Sequence, residues 1–205
     1  MLDGMADLMA TLREQRRQAA ITEIANVALR LFLENGFDET SVEEIAAAAG
    51  CSPRTFYRYF GTKEDVVLHD IPAMIDRLDE ILDEHLGAGL TPWDAITEAL
   101  ASMIRRFNES APELLIERMA VWMKEPALRI RYVRYVIDAE SRVRDRLSGY
   151  TDSSSELPAL MAAVAIGAYR VTLFTHSLRA ADQLESHVRK SLAIVGAELG
   201  ARSYV

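Results

Sequence analysis

Apolar residues recur along this chain at helical rather than alternating spacing, and turn signals divide the pattern into about nine helices. Residues 1–11 carry no sustained pattern and are expected to form a flexible tail. From Leu12 to Asn35, Ile21, Ile24, Ala25, Ala28, Leu31 and Phe32 fall on one face of a long helix. Thr40 opens a short one, with Glu43 at capping-box distance and Val42, Ile45, Ala46 and Ala49 on its apolar side. Gly50 is its expected stop, because glycine takes positive φ at little cost. Ser52 then caps a second short helix that begins on Pro53 and ends near Tyr59. Thr62 and Asp65 cap a third from Lys63 toward Leu86, in which Ile71-Pro72 must bend or break the helix.

Gly87-Ala88-Gly89 is the next break. Thr91-Pro92 opens a helix to about Asn108, with Trp93, Ile96, Leu100, Met103, Ile104 and Phe107 turned inward. Ser110 with Glu113 opens another, carrying Leu114, Leu115, Met119, Trp122 and Met123. Pro126 opens a longer one to Leu147, with Leu128, Tyr132, Tyr135, Val136 and Val143. The polar run SGYTDSSSE (Ser148 to Glu156) reads as a loop, and two helices close the chain, Leu157 to Leu178 and Asp182 to Ala201. The fold class expected is all-α: an N-terminal three-helix domain followed by a larger C-terminal bundle.

Composition changes this picture in one respect. Half of the 205 residues are apolar, enough for one or two real cores, but the net charge of −8 argues at first against a nucleic-acid partner. Its distribution reverses that. Between Cys51 and Lys63 the charged residues are Arg54, Arg58 and Lys63, and Arg13, Arg16 and Arg17 cluster near the start. Asp76, Asp79, Glu80, Asp83 and Glu84 illustrate where the acid lies. A local basic surface on an acidic protein permits DNA binding with a strong salt dependence. The lone Cys51 excludes an internal disulfide and suits a reducing compartment. The opening has no basic run before an apolar one, so a secretory signal is not expected. No stretch reads as approaching the ~20 apolar residues of a membrane span. A cytoplasmic protein without a membrane partner is the expectation.

Two short helices joined by a glycine turn form a helix-turn-helix, whose second helix enters the major groove. Arginine suits guanine edges, while Thr, Tyr, Lys and helix N-termini suit phosphates. The run ALRLFLENGFDETSVEEIAAAAGCSPRTFYRYFGTKEDVV (Ala28 to Val67) resembles the DNA-binding domain of the TetR family of bacterial transcriptional regulators. Asn35-Gly36-Phe37, Thr40-Ser41-Val42, Ala49-Gly50, Phe56-Tyr57 and Tyr59-Phe60 with Lys63-Glu64 carry the likeness. Arg54 stands where that family often has glycine. The resemblance implies that Ser52, Pro53, Arg54 and Thr55 face bases, and that Thr40, Ser41, Tyr57, Tyr59 and Lys63 hold phosphates. Arg58 suits either role. On this division residues 12–62 bind double-stranded DNA, and residues 63–205 bind an effector and dimerise.

The last two helices suit a partner. One is rich in small residues, including Ala163 and Gly167, and the other carries Leu184, Val188, Leu192 and Val195 at helical spacing. The resemblance implies that such hairpins from two copies form a four-helix interface, giving a homodimer that reads a palindromic operator. Between the DNA unit and that hairpin, Trp93, Met103, Phe107, Met119, Trp122, Met123, Tyr132, Tyr169, Phe174 and His176 are candidate pocket lining. Glu125-Pro126-Ala127-Leu128-Arg129 with Gly167-Ala168-Tyr169-Arg170 is similar to an actinobacterial TetR subgroup of the mycofactocin-regulator type. That likeness implies a lipophilic, acyl-CoA-like effector whose polar head meets Arg170 or His176. The function expected is a ligand-released dimeric repressor. The alternative is a TetR-like DNA binder with no small-molecule effector, acting architecturally or through a protein partner. None of His69, His85, His176 and His187 is preceded by glutamate at Glu-x-x-His spacing, and no HExxH, GxSxG, Walker or Rossmann pattern occurs. Neither an enzyme, a cofactor nor a metal is expected.

Overall fold

Helix punctuation decides where this chain turns. The computed structural model describes residues 2–110, 112–151, 156–176 and 183–200, with their side chains except at 2–8, 10, 107–116, 123 and 198–200. The elements are α1 (Leu2–Asn35), α2 (Val42–Ala48), α3 (Pro53–Tyr59), α4 (Lys63–Leu68), α5 (Ile71–Gly87), α6 (Pro92–Ser110), α7 (Pro112–Lys124), α8 (Pro126–Leu147), α9 (Leu157–His176) and α10 (Leu184–Gly200). No strand occurs among the described residues. The helix expected over 63–86 is broken at His69 and Asp70, with Pro72 in the first turn beyond the break. Among the described residues the one helix expected there is therefore two, α4 and α5. The chain divides into two compact units at the same place, residues 1–69 and 70–205. The boundary lies one short helix later than the sequence suggested, because α4 packs on α1.

In the first unit α1 packs against α2 and α4, and α2 against α3. Ile24, Ala25, Ala28, Leu29 and Phe32 of α1 meet Ile45, Ala46, Phe56 and Val66 in its core. The expected flexible tail is instead helical from Leu2 onward. Ala, Leu, Met, Arg, Gln and Glu dominate residues 5–20, so intrinsic propensity continues the helix although residues 11–19 are exposed. The α2 cap sits one residue later than expected: Ser41 is the N-cap and Glu44 closes the box. Gly50, at φ +66°, ends α2, with Cys51 N–H donating to Ala46 and Gly50 N–H to Ala47.

The second unit is a bundle. Helix α5 packs on α6 and α8, α6 on α7, α9 and α10, and α8, α9 and α10 follow one another across the remaining side. Leu82, Leu100, Leu128, Leu147 and Leu184 are fully buried at its centre. Asp79 of α5 is also buried, and its carboxylate lies against the guanidiniums of Arg142 and Arg146 on α8 (3.2 Å to Arg146). Burial raises its pKa while the two arginines oppose the shift. Trp93 of α6 donates its indole N–H to the Leu192 carbonyl of α10 at 3.2 Å. Gly196 makes room for that ring: a Cβ there would lie 2.6 Å from Trp93 Cδ1.

Two expectations change here. Helix α9 does have the length and apolar composition of a membrane-crossing helix, which the sequence reading missed. It is part of the bundle, burying Met161, Ala162, Ala165, Ile166 and Leu173. The α10 stripe is not an open face either. Leu184, Val188 and Leu192 are each 0 % exposed, because α10 turns them onto its own α6 and α9. An apolar stripe at helical spacing marks burial but does not say against which partner. Ala163 is exposed, and Gly167 and Val195 are half-buried. The open apolar positions are Leu157, Leu160 and Val171 on α9, with Ile194 on α10.

Candidate DNA interface and effector cavity

Helix α3 is short, and its two faces differ in character. Phe56 is buried beneath it, while Pro53, Arg54, Tyr57 and Arg58 are exposed on adjoining positions. Ser52 caps the helix through the Thr55 amide at 3.1 Å, and its hydroxyl lies 2.9 Å from that of Thr55. The N-terminal amides and Arg54 thus lie at one end of an acid-free surface. Arg58 reaches back over the Tyr59 ring, 4.7 Å from its centre, and donates to the Tyr59 hydroxyl at 2.9 Å. That contact orients Arg58 and Tyr59 together. In α1, Arg13, Arg16 and Arg17 are exposed, and Arg17 pairs with Glu14 at 3.0 Å.

Three of the residues expected at phosphates are engaged inside the fold. Thr40 is buried, donating to the Gly36 carbonyl at 2.7 Å. Ser41 is committed to the α2 cap, with its hydroxyl 2.7 Å from the Glu44 carboxylate, which is held below the usual range by the Ser41 backbone and side chain. Lys63 Nζ lies 2.7 Å from the Phe37 carbonyl, 3.2 Å from that of Thr40 and 3.3 Å from that of Asp38, over the Phe37 ring. An ammonium has three donors, and all three are used. Lys63 therefore ties the start of α4 to the turn after α1 instead of reaching outward. Its spacing in the sequence is the same for either task.

The second unit holds a cavity of about 100 Å³, partly open to solvent. Its walls are almost wholly apolar. Helix α5 contributes Ile71, Met74, Ile75 and Leu78, and α6 contributes Leu100, Met103 and Ile104. Arg118, Met119 and Trp122 come from α7, and Tyr132, Tyr135, Val136 and Ala139 from α8. Ile166, Tyr169 and Leu173 of α9 complete it. Trp122 stands edge-on to Tyr132, with ring centres 4.0 Å apart. Burial pushes the Tyr132 hydroxyl up to about 12 and raises that of Tyr169 further. Both stay neutral donors across the physiological range.

Of the candidate residues, Met103, Met119, Trp122, Tyr132 and Tyr169 lie in the lining of this cavity. Four other candidates do not. Trp93 is used against α10, and Phe174 packs outside the lining, 6.0 Å from the Trp122 ring. His176 stacks on His187 at 4.1 Å, and Arg170 is half-buried outside the lining. The side chains of Phe107 and Met123 lie outside the described residues. The whole α5 wall was missed, although Ile71, Ile75 and Leu78 repeat at helical spacing in plain sight. Arg118 has no comparable signal.

Residues 90–200 match the family model described as "MftR C-terminal domain", and residues 24–69 match "Bacterial regulatory proteins, tetR family". The chain belongs to the TetR family. It is 31% identical over 137 residues to the transcriptional regulator TcmR of Streptomyces glaucescens, covering 64% of this chain and 60% of that one. To MftR of Mycobacterium tuberculosis, named for regulating mycofactocin biosynthesis, it is 32% identical over 115 residues, covering 56% and 57%. The chain thus spans about three fifths of the curated relatives it matches. Among solved structures, SmeT with triclosan aligns at TM-score 0.67 and 18% identity, covering 88% of this chain and 91% of that one. Thermus thermophilus FadR with lauroyl-CoA aligns at 0.59 and 20%, covering 85% and 92%. Both likenesses establish the fold.

Proposed function

We propose that this regulator is a cytoplasmic, non-enzymatic homodimer that represses from a palindromic operator and is released by a lipophilic small molecule. The observation that carries the DNA half is the exposed, acid-free face of α3, on which Pro53, Arg54, Tyr57 and Arg58 adjoin. Arg54 is the base reader, with Ser52 and Thr55 beside it. Tyr57 and Tyr59 hold phosphates, and Arg58 is oriented by Tyr59 for either surface. The dimer uses the open side of α9, at Leu160, Ala163, Gly167 and Val171, with Ile194 of α10. The apolar cavity supports the effector half, and so do the triclosan and the lauroyl-CoA that SmeT and FadR hold on the same fold. An acyl-CoA-like molecule fits that chemistry. Release requires only that the effector bind one state of the dimer more tightly than the other.

The experiment compares Arg54→Ala with wild type on a selected genomic fragment and on random DNA. Loss of a bidentate guanine contact is expected to cost about 1–3 kcal/mol on the fragment, roughly 5–150-fold in Kd, and to relax specificity at one base step. Equal losses on both DNAs would remove Arg54 as a base reader.

A further inference from the structure

Among the cavity's apolar walls, every polar side chain can donate a hydrogen bond: Trp122 and Arg118 only donate, and the tyrosine hydroxyls also accept. The indole N–H of Trp122 is buried with no acceptor, and no hydrogen bond is made by the hydroxyls of Tyr132, Tyr135 or Tyr169 among the described residues. Beside them Arg118, itself buried, contributes to the lining. A cavity with four donors, one of them a buried N–H with no acceptor, and a guanidinium is matched to a ligand with an acceptor, and best to one with negative charge.

Arg118 is ion-paired to Asp70. Asp70 is the first residue of the second unit and the N-cap residue of α5, yet its side chain makes no capping bond to that helix. Its second oxygen is buried with no hydrogen-bond partner. The carboxylate therefore stands between two uses. It can hold Arg118, as here, or it can turn to the amide of Ala73 in the first turn of α5, where Pro72 has no N–H to offer, the role aspartate favours at this position. Ile71, the next residue, lines the cavity.

We propose that the effector is an apolar monocarboxylate whose head takes Arg118 from Asp70, and that the freed Asp70 then caps α5 and resets the backbone at the break between α4 and α5. This rests on the effector-released reading for its consequence at DNA, but not for its ligand. The exchange has a definite sign. Asp70 competes with the ligand for one guanidinium, so the ion pair weakens ligand binding, and the ligand in turn destabilises the paired state by the same factor.

The test titrates purified full-length protein by calorimetry with saturated fatty carboxylates of eight to fourteen carbons, each beside its methyl ester. The best-bound carboxylate is expected to bind at least about tenfold more tightly than its ester. Asp70→Asn, which keeps shape and removes the competing charge, is expected to tighten it about three- to tenfold. Arg118→Gln is expected to bring acid and ester to the same affinity. No binding by any carboxylate, equal binding of acid and ester by wild type, or unchanged affinity in Asp70→Asn would each overturn the exchange. DNA binding is read separately on the same samples. Carboxylate binding with the expected variant pattern but no change in DNA affinity would keep the ligand assignment and overturn the reset at the break, and with it release by this ligand.

Discussion

Phe56→Ala is expected to abolish DNA binding without touching a single exposed residue. Phe56 is 0 % exposed beneath α3, edge-on to Tyr57 and 5.3 Å from the Phe60 ring. It lies where α3 packs on α2 and so sets the height and rotation of the face bearing Arg54 and Tyr57. Truncating a buried phenylalanine removes its transfer free energy and leaves a cavity, about 3–5 kcal/mol in all. A unit of 69 residues has a stability of the same order, so this one change consumes most of it. A circular-dichroism melt is expected to gain an early transition while the helical bundle keeps its own. Lost DNA binding with an unchanged melt would make Phe56 a DNA contact and not a core residue.

Leu192→Glu is expected to unfold the bundle rather than to separate two copies. Its side chain lies against α6 and α9 of the same chain, one turn before the Gly196 gap that receives Trp93. Losing the leucine costs on the order of 2–5 kcal/mol, and burying a carboxyl with no partner adds to that. The Leu192 carbonyl also accepts the Trp93 N–H, so any shift of α10 opens that contact too. Val171→Glu, on the open side of α9, is the paired control. It is expected to yield a folded monomer by sedimentation, whereas Leu192→Glu melts early or precipitates. A well-folded, monomeric Leu192→Glu would return that residue to the interface between copies.

These two variants also mark where the sequence was legible. Locally determined features read well. Gly50, Ser52, Pro53, Thr62 and the break near Pro72 act through backbone geometry within a few residues, and the structure places them as read. The Ser41 cap was misplaced by one residue because Thr40 and Ser41 both suit it, and burial of Thr40 decides between them. Partner choice reads poorly. The spacing of Leu184, Val188 and Leu192 declares an apolar face, but only packing assigns it to α6 and α9. Lys63 is the same case in a charged residue, as its ammonium finds carbonyls 23 to 26 positions away. Five cavity residues were found from aromatic and methionine content. The α5 wall and Arg118 were not, because which helix faces a void is a property of the assembled bundle.

The central claim is that the α3 face of a dimer reads a two-fold symmetric site. Selecting bound fragments from sheared bacterial genomic DNA with the purified protein, and sequencing them, tests it most directly. Enrichment of one palindrome, with half-sites about one helical turn apart or somewhat more and enrichment lost in Arg54→Ala, is the predicted result. Recovery no different from random DNA, both with and without fatty carboxylate present, would contradict it.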